Sequence, residues 1–145
     1  TYPAGSPGAI GVAASDQHDN LMTYSTFGSW VPLAAPTGDI TTWLVFNGVP
    51  YGYGPVGGTS ISAPVVAGII GLMLSAAPDA TVSQVKSALF SSVDPISGVN
   101  QSGAPVNVQY GRVNAYRALL AITGQPAPAS PTPADQVVPL SVELA

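Results

Sequence analysis

The stretch Gly57-Gly58-Thr59-Ser60-Ile61-Ser62-Ala63-Pro64-Val65-Val66-Ala67-Gly68 leads through two glycines into an apolar helix that has a serine near its start. A helix N-terminus has free backbone N–H groups and a partial positive charge. A serine placed there can attack a carbonyl carbon while its own N–H stabilises the oxyanion that forms. Ser60 is therefore a candidate nucleophile, and its backbone N–H is a candidate oxyanion donor. Gly57 and Gly58 leave room for an extended substrate, and we expect them to contact it.

The same Gly-Thr-Ser start, taken alone, is more often an ordinary helix cap, because serine and threonine are among the commonest N-cap residues. The longer context decides between the two interpretations.

Short apolar runs predict strands at Ala9 to Ser15, which we expect to be buried on both faces of a parallel sheet, and at Trp30 to Ala35. Apolar runs on both sides of Asn47-Gly48 predict a β-hairpin.

Three helices are predicted after the hairpin. The first has Pro64 in its first turn and is apolar all round, so we expect it to be central and buried. A capping box at Thr81 to Gln84 opens the second helix, which runs to about Ser91. The third runs from about Val113 to Ile122 and is closed by Gly124. Residues 125–145 are rich in proline and alanine, which predicts a linker or tail.

Composition excludes several classes of protein. Of the 145 residues only 7% are charged, and the formal net charge is −4. The three basic residues cannot form the positive face that nucleic acids require. With no cysteine, the chain has no disulfide, zinc-thiolate site or catalytic thiol. The longest apolar run is shorter than the roughly 20 residues of a membrane span, and a weakly charged acidic surface suits a secreted protein.

Several motifs in a fixed order resemble the subtilases, the subtilisin-like serine proteases. Besides the serine motif at 57–68, they are residues 2–4 with 10–14, residues 24–31 with 33–36, and residues 110–116. This resemblance covers about residues 1–122. It implies an α/β fold: a doubly wound, mostly parallel sheet with helices on both faces, of which residues 1–124 would form the C-terminal part. Thr37 departs from the pattern, since a glycine is usual there.

The resemblance also implies a function and a site. The complete enzyme would be a serine endopeptidase acting on polypeptides, with Ser60 as its nucleophile. Tyr2, Pro3 and Ala4 would line one wall of the S1 pocket. In members of the family, the catalytic aspartate and histidine lie upstream of the position that corresponds to Thr1. The asparagine that completes the oxyanion hole also lies upstream of it. We therefore expect the chain alone to be inactive and to need an N-terminal segment of the same protease, or a second copy of itself.

No metal ligand is assigned and no cofactor is required, although calcium is a candidate structural ion of the complete enzyme. His18 is the one histidine of the chain and lies 42 residues before Ser60, in the polar stretch 16–20. We interpret it as a solvated turn residue, and Asp16 and Asp19 as part of the same turn. Asp94, next to Pro95, is interpreted as a turn cap.

Two alternatives remain at this point. The sedolisins share the fold and a Gly-Thr-Ser element but use glutamate and aspartate in place of histidine and aspartate, at acid pH. The other alternative is a non-catalytic, protease-like domain used for binding or assembly.

Overall fold

The computed structural model describes residues 3–38, 40–46, 48–99 and 103–126. Within these residues, three helices and eight strands follow one another in a mixed α/β arrangement. In chain order these are β1 (Val12–Ser15), β2 (Asn20–Leu21), β3 (Leu33–Pro36), β4 (Ile40–Phe46), β5 (Val49–Val56), α1 (Thr59–Ala76), α2 (Val82–Ser91), β6 (Ser97–Val99), β7 (Pro105–Val106), β8 (Gly111–Arg112) and α3 (Ala115–Ile122).

Six of the strands form one sheet in the order β7-β6-β2-β1-β3-β8. Strand β3 runs parallel to both β1 and β8, and β2 runs parallel to β6. The β1–β2 and β6–β7 pairs are antiparallel, so the sheet is mixed. The predicted strand at Ala9 to Ser15 is confirmed in its second half. Ala13, Ala14 and Ser15 have no exposed surface, as expected for a strand covered on both faces.

Strands β4 and β5 form the predicted hairpin. Phe46 pairs with Val49 next to the turn, and the pairing continues to Ile40 with Val56. Strand β5 is thus three residues longer than the apolar run to Tyr53 indicated. Its end delivers the chain to Gly57 and Gly58, directly before α1.

The core has two parts, one on each face of the sheet. Leu33 and Ala35 point to one face, where they pack with all three helices. The buried helix residues there are Val66, Ile69, Met73, Val85, Ala88, Leu89 and Ala118. Ala34 points to the other face, where strands and loops cover it. The α/β fold class is confirmed, and the three helices of the described residues lie on one side of the sheet.

Helix α1 differs from its prediction in two ways. It begins at Thr59, so Pro64 lies in the second turn, and the proline nitrogen cannot donate to the carbonyl of Ser60. The expectation of burial all round was wrong for the described residues. Ser62, Val66, Ile69 and Met73 are buried, but Leu72 and Leu74 are 55% and 40% exposed. The reason is that β1, β3, α2 and α3 pack against one side of the helix.

Helix α1 is also long and apolar enough to cross a membrane, judged by length and composition alone. It is the one helix of that kind in the described part of the chain, and a core helix of a soluble protein passes the same test.

Helix α2 begins and ends where it was predicted, whereas α3 ends as predicted but begins later. Thr81 caps α2 with the complete capping box: its hydroxyl accepts from the Gln84 N–H, while the Gln84 side chain accepts from the Thr81 N–H. Helix α3 starts at Ala115, two residues later than predicted, because the side chain of Asn114 caps it. Gly124 has a φ of 71° just beyond the end of α3, a backbone conformation that favours glycine.

Candidate active site

Ser60 is the second residue of α1, and its side chain is exposed. Because the helix starts at Thr59, the N–H of Ser60 belongs to the first turn and has no acceptor within the helix. The N-cap residue, Gly58, offers no side chain to bind these N–H groups. Its carbonyl accepts the N–H of Ile61 at 2.9 Å. Because Gly58 has no side chain, the N-terminal end of the helix is open toward solvent. An oxyanion next to Ser60 would meet both a free donor and the positive end of the helix.

The turn that leads into α1 depends on glycine and on a side chain from another part of the chain. Gly58 has a φ of 119°, which residues with a Cβ rarely adopt. The hydroxyl of Thr37 accepts a hydrogen bond from the Gly58 N–H at 2.7 Å and donates one to the Gly58 carbonyl at 2.9 Å. Thr37 directly follows the last residue of β3 and is 9% exposed.

A second contact joins the same two elements. Ser62 is fully buried, and its hydroxyl donates to the carbonyl of Pro36 at 3.3 Å. The end of β3 therefore holds the start of α1 at two places, on either side of Ser60.

Of the predicted substrate contacts, Gly57 and Gly58 directly precede α1, and Ala4 lines a cavity that Thr59 also lines. Ala4 and Thr59 line a cavity of about 210 Å³, together with Gly11, Val12, Thr26, Trp30 and Val31. Ala4, predicted to form a wall of the S1 pocket, thus lines the same cavity as the residue that precedes Ser60. Pro3 is exposed, and its carbonyl accepts the N–H of Ser6 in a turn. Tyr2 lies outside the described residues.

Gly57 is exposed, and a Cβ at this position would make only ordinary van der Waals contacts. A Cβ built on Gly57 would lie 3.6 Å from Cα of Gly38 and 3.7 Å from the hydroxyl of Tyr24. The ring of Tyr24, 49% exposed, is therefore beside the strand-to-helix turn, a position that the sequence did not reveal.

His18 lies in the β1–β2 turn, as predicted. Within the part of the chain that the structure describes, its hydrogen-bond contacts are with its neighbours: Nε2 with the Gln17 side chain, and its N–H with the Asp16 carboxylate. Burial raises the pKa of Asp16, but hydrogen bonds from Asn20 and from the His18 N–H outweigh burial and leave this pKa below its usual value. Nothing in these contacts connects His18 to Ser60.

Two acidic residues contradict their sequence interpretation. Asp94 is not a simple turn cap: it is 8% exposed and accepts from the Arg112 guanidinium at 3.1 Å, Asn114 Nδ2 at 2.8 Å and Arg117 Nη1 at 3.3 Å. Asp19 is not merely solvated, because it forms an ion pair with the Arg112 guanidinium, whose Nη2 also contacts Asp94. The sequence could not show this network, because its members are far apart in the chain. Among the described residues no group of three or more histidine, cysteine, aspartate or glutamate side chains could hold a metal ion.

Comparison with known proteins identifies the family to which this sequence is similar. The sequence model of the subtilase family matches residues 1–117. The chain belongs to the subtilase family. A curated member, thermitase from Thermoactinomyces vulgaris, is 39% identical over 118 residues, which are 81% of this chain and 38% of thermitase. The halolysin-like extracellular serine protease Nep from Natrialba magadii is 32% identical over 127 residues, which are 87% of this chain and 21% of that protein.

Solved structures of the family show the same fold. The patellamide maturation protease PatA superposes with a TM-score of 0.68 at 26% identity, over 86% of this chain and 46% of PatA. The resemblance drawn from the motifs is thereby confirmed, and the subtilase match favours this family over the sedolisins. The chain spans about 38% of the length of thermitase and smaller shares of other curated relatives.

Proposed function

We propose that residues 1–124 form the C-terminal part of the catalytic domain of a serine endopeptidase, with Ser60 as the nucleophile and residues 125–145 as a linker or tail. The observation that carries this proposal is the exposed Ser60 on the open N-terminus of α1, within the region that matches the family.

The chemistry follows from that placement. The hydroxyl oxygen of Ser60 attacks the scissile carbonyl carbon, and the proton of the hydroxyl passes to a histidine supplied by an upstream segment. The Ser60 N–H stabilises the oxyanion together with a side-chain amide from that segment. Collapse of the intermediate breaks the C–N bond, with the histidine returning the proton to the departing amine. Water then hydrolyses the acyl-enzyme by the same steps.

The substrate is a polypeptide in extended conformation. Tyr2, Pro3 and Ala4 form one wall of the pocket for the side chain before the scissile bond, and Gly57 and Gly58 face the substrate backbone. The cavity shared by Ala4 and Thr59, next to the nucleophile, supports this assignment. The glycines support it through their lack of a side chain beside the reacting serine.

An upstream segment of the same protease is the partner that completes the site. The chain has one histidine, and its described contacts keep it in its own turn. The outer face of α1, which includes Leu72 and Leu74, is apolar and exposed in the described part of the chain. An upstream segment that covers this face would bury Leu72 and Leu74 and would supply the catalytic histidine and aspartate. A second copy of this chain would bring only another His18.

Two finer properties rest on relatives. Secretion is supported by the extracellular protease Nep. A structural calcium ion is supported by a relative from Trichormus variabilis, 32% identical, which bears the name calcium-dependent protease. The described residues contain no cluster of three or more acidic, histidine or cysteine side chains that could hold a metal ion. In this proposal the calcium ion would therefore be held mainly by other parts of the protease.

Labelling with a fluorophosphonate, followed by peptide mapping, tests the nucleophile. The complete protease should be labelled on Ser60, Ser60→Ala should not be labelled, and His18→Ala should be labelled at the wild-type rate. The chain alone should be labelled at a rate near that of an ordinary serine. Absence of label on Ser60 in the complete protein would instead support a non-catalytic, protease-like domain. Rapid label on the isolated chain would contradict the need for an upstream base.

A rate profile against pH tests the class of the base. A histidine base must be neutral to accept the proton, so the labelling rate should fall as the pH drops below about 6 to 7. A rate that stays high at pH 3 to 4 would identify a carboxylate base, as in the sedolisins.

A further inference from the structure

We propose that Thr37 is a positioning residue for Ser60: its hydroxyl fixes the peptide groups on both sides of Gly58 and thereby sets the direction of the Ser60 N–H and side chain. This inference rests on the proposed function of Ser60. It concerns a residue outside the helix and 23 positions earlier in the sequence.

The geometry of the contact is that of a clamp. Thr37 Oγ1 accepts from the Gly58 N–H at 2.7 Å and donates to the Gly58 carbonyl at 2.9 Å, so one hydroxyl holds both ends of one residue. The same carbonyl accepts the Ile61 N–H, which is the first hydrogen bond of α1. A rotation of either Gly58 peptide would break a bond to Thr37 and disturb the first turn of the helix.

Gly58 needs such a restraint more than other residues do. Glycine has the greatest backbone freedom, and the observed φ of 119° is one of several conformations open to it. Helix α1 also has no side-chain cap of its own, since its N-cap residue is this glycine. Thr37 supplies the missing hydroxyl from another element of the fold.

Thr37 is itself held firmly. Its N–H donates to the carbonyl of Ser15 at 2.9 Å, which extends the β1–β3 pairing by one residue. Only 9% of Thr37 is exposed. The clamp is thus anchored in the central strands of the sheet, and Gly58 is fixed with respect to that sheet.

The consequence for catalysis is a specific one. Ser60 follows Gly58 by two residues, so an error in the Gly58 peptide moves both the attacking oxygen and the oxyanion donor. These groups act in the transition state more than in substrate binding, and such a change lowers kcat more than it raises KM. Loss of two hydrogen bonds of ordinary strength, partly replaced by water, leads us to expect a fall in kcat of about tenfold.

The test compares four variants of the complete protease. Thr37→Val keeps the shape and removes the hydroxyl, Thr37→Ser keeps the hydroxyl, and Thr37→Gly removes the side chain with little risk of a clash. Thr123→Val is the matched control, because Thr123 also donates to backbone carbonyls, those of Leu119 and Leu120, but at the far end of α3. Active sites are counted by fluorophosphonate stoichiometry, so that kcat refers to folded enzyme only.

The expected result is a fall in kcat of about tenfold in Thr37→Val and Thr37→Gly, with KM changed less than twofold. Thr37→Ser should recover most of the rate, and Thr123→Val should match the wild type. If Thr37→Val does not fold, Thr37→Gly and Thr37→Ser still give the comparison.

Three outcomes would overturn the proposal. They are a wild-type kcat per active site in the variants without a hydroxyl, equal losses in Thr37→Gly and Thr37→Ser, and a loss confined to the number of active sites. Failure of the wild-type protease to be labelled on Ser60 would refute the proposed function and this inference with it. Normal labelling of the wild type, with no effect of Thr37, would refute this inference alone.

Discussion

Replacement of Asp94 by asparagine should destabilise the complete protease by about 2–3 kcal/mol. Asp94 is 8% exposed, and its carboxylate accepts hydrogen bonds from two guanidinium groups, those of Arg112 and Arg117. It also accepts from Asn114, which caps α3. Asparagine has nearly the same shape but no charge, so the packing is kept while both ion pairs are lost.

The magnitude follows from burial and from what remains. Breaking a buried ion pair by removing one partner costs about 3–5 kcal/mol. Here the side chains of Arg112 and Arg117 keep 15% and 21% of their exposure, so water can partly solvate them. Arg112 also keeps its ion pair with Asp19. These two effects lower the expected cost to about 2–3 kcal/mol.

Urea unfolding, followed by tryptophan fluorescence, measures this cost. The protein should carry Ser60→Ala, so that self-digestion does not contribute. At a slope of about 2–3 kcal/mol/M, the midpoint of Asp94→Asn should lie roughly 1 M lower. Asp19→Asn is the control, because the Asp19 side chain is 37% exposed and its pair should contribute no more than about 1 kcal/mol. Equal effects of the two substitutions, or a cost of Asp94→Asn below about 1 kcal/mol, would refute the reasoning.

Three further predictions concern other parts of the chain. Thr81→Ala should cost about 1 kcal/mol of unfolding free energy, because it removes the capping box of α2, whereas Val82→Ala, at a position 74% exposed, should change little. Leu72→Asn should cost about 2 kcal/mol or more in the complete protease if an upstream segment covers α1; an effect near zero would show that this face stays in water. Asp16 has a lowered pKa in the folded state, so its contribution to stability is present above the unfolded value of about 3.9 and is lost as the pH falls through the folded value. The difference in unfolding midpoint between wild type and Asp16→Asn should therefore shrink as the pH falls below the unfolded value; a difference that is constant with pH would contradict the shift.

The local elements were predictable because their signals are local. The capping box at Thr81, the pairing of Phe46 with Val49 and the glycine at 124 each fix a boundary through neighbours within a few residues. The placement of Ser60 on a helix N-terminus followed from the same kind of signal. The position of Pro64 within α1 was predicted less accurately. Proline fits the first turn of a helix without loss, but it is also found in the second turn, where one hydrogen bond of the helix is lost.

The contacts that organise the candidate site were not predictable in this way. Thr37 was noted in the sequence only as a departure from the usual glycine, and its bonds to Gly58 cross 21 residues of chain. Asp94 looked like a turn residue because Pro95 follows it, yet its partners lie 18 and 23 residues later. Which side chains meet over such distances depends on strand order and register, which no short stretch specifies.

The sequence by itself determined the class of the fold, the family, and the position of the candidate nucleophile at the start of an apolar helix. Only the tertiary structure decided that β3 holds that helix start through Thr37 and Ser62, and that one side of α1 is packed while Leu72 and Leu74 stay exposed. The physical reason is the range of the interactions. Caps and turns are fixed by hydrogen bonds between near neighbours in the sequence. The hydrophobic effect, in contrast, favours the removal of apolar surface from water but does not specify which polypeptide covers that surface.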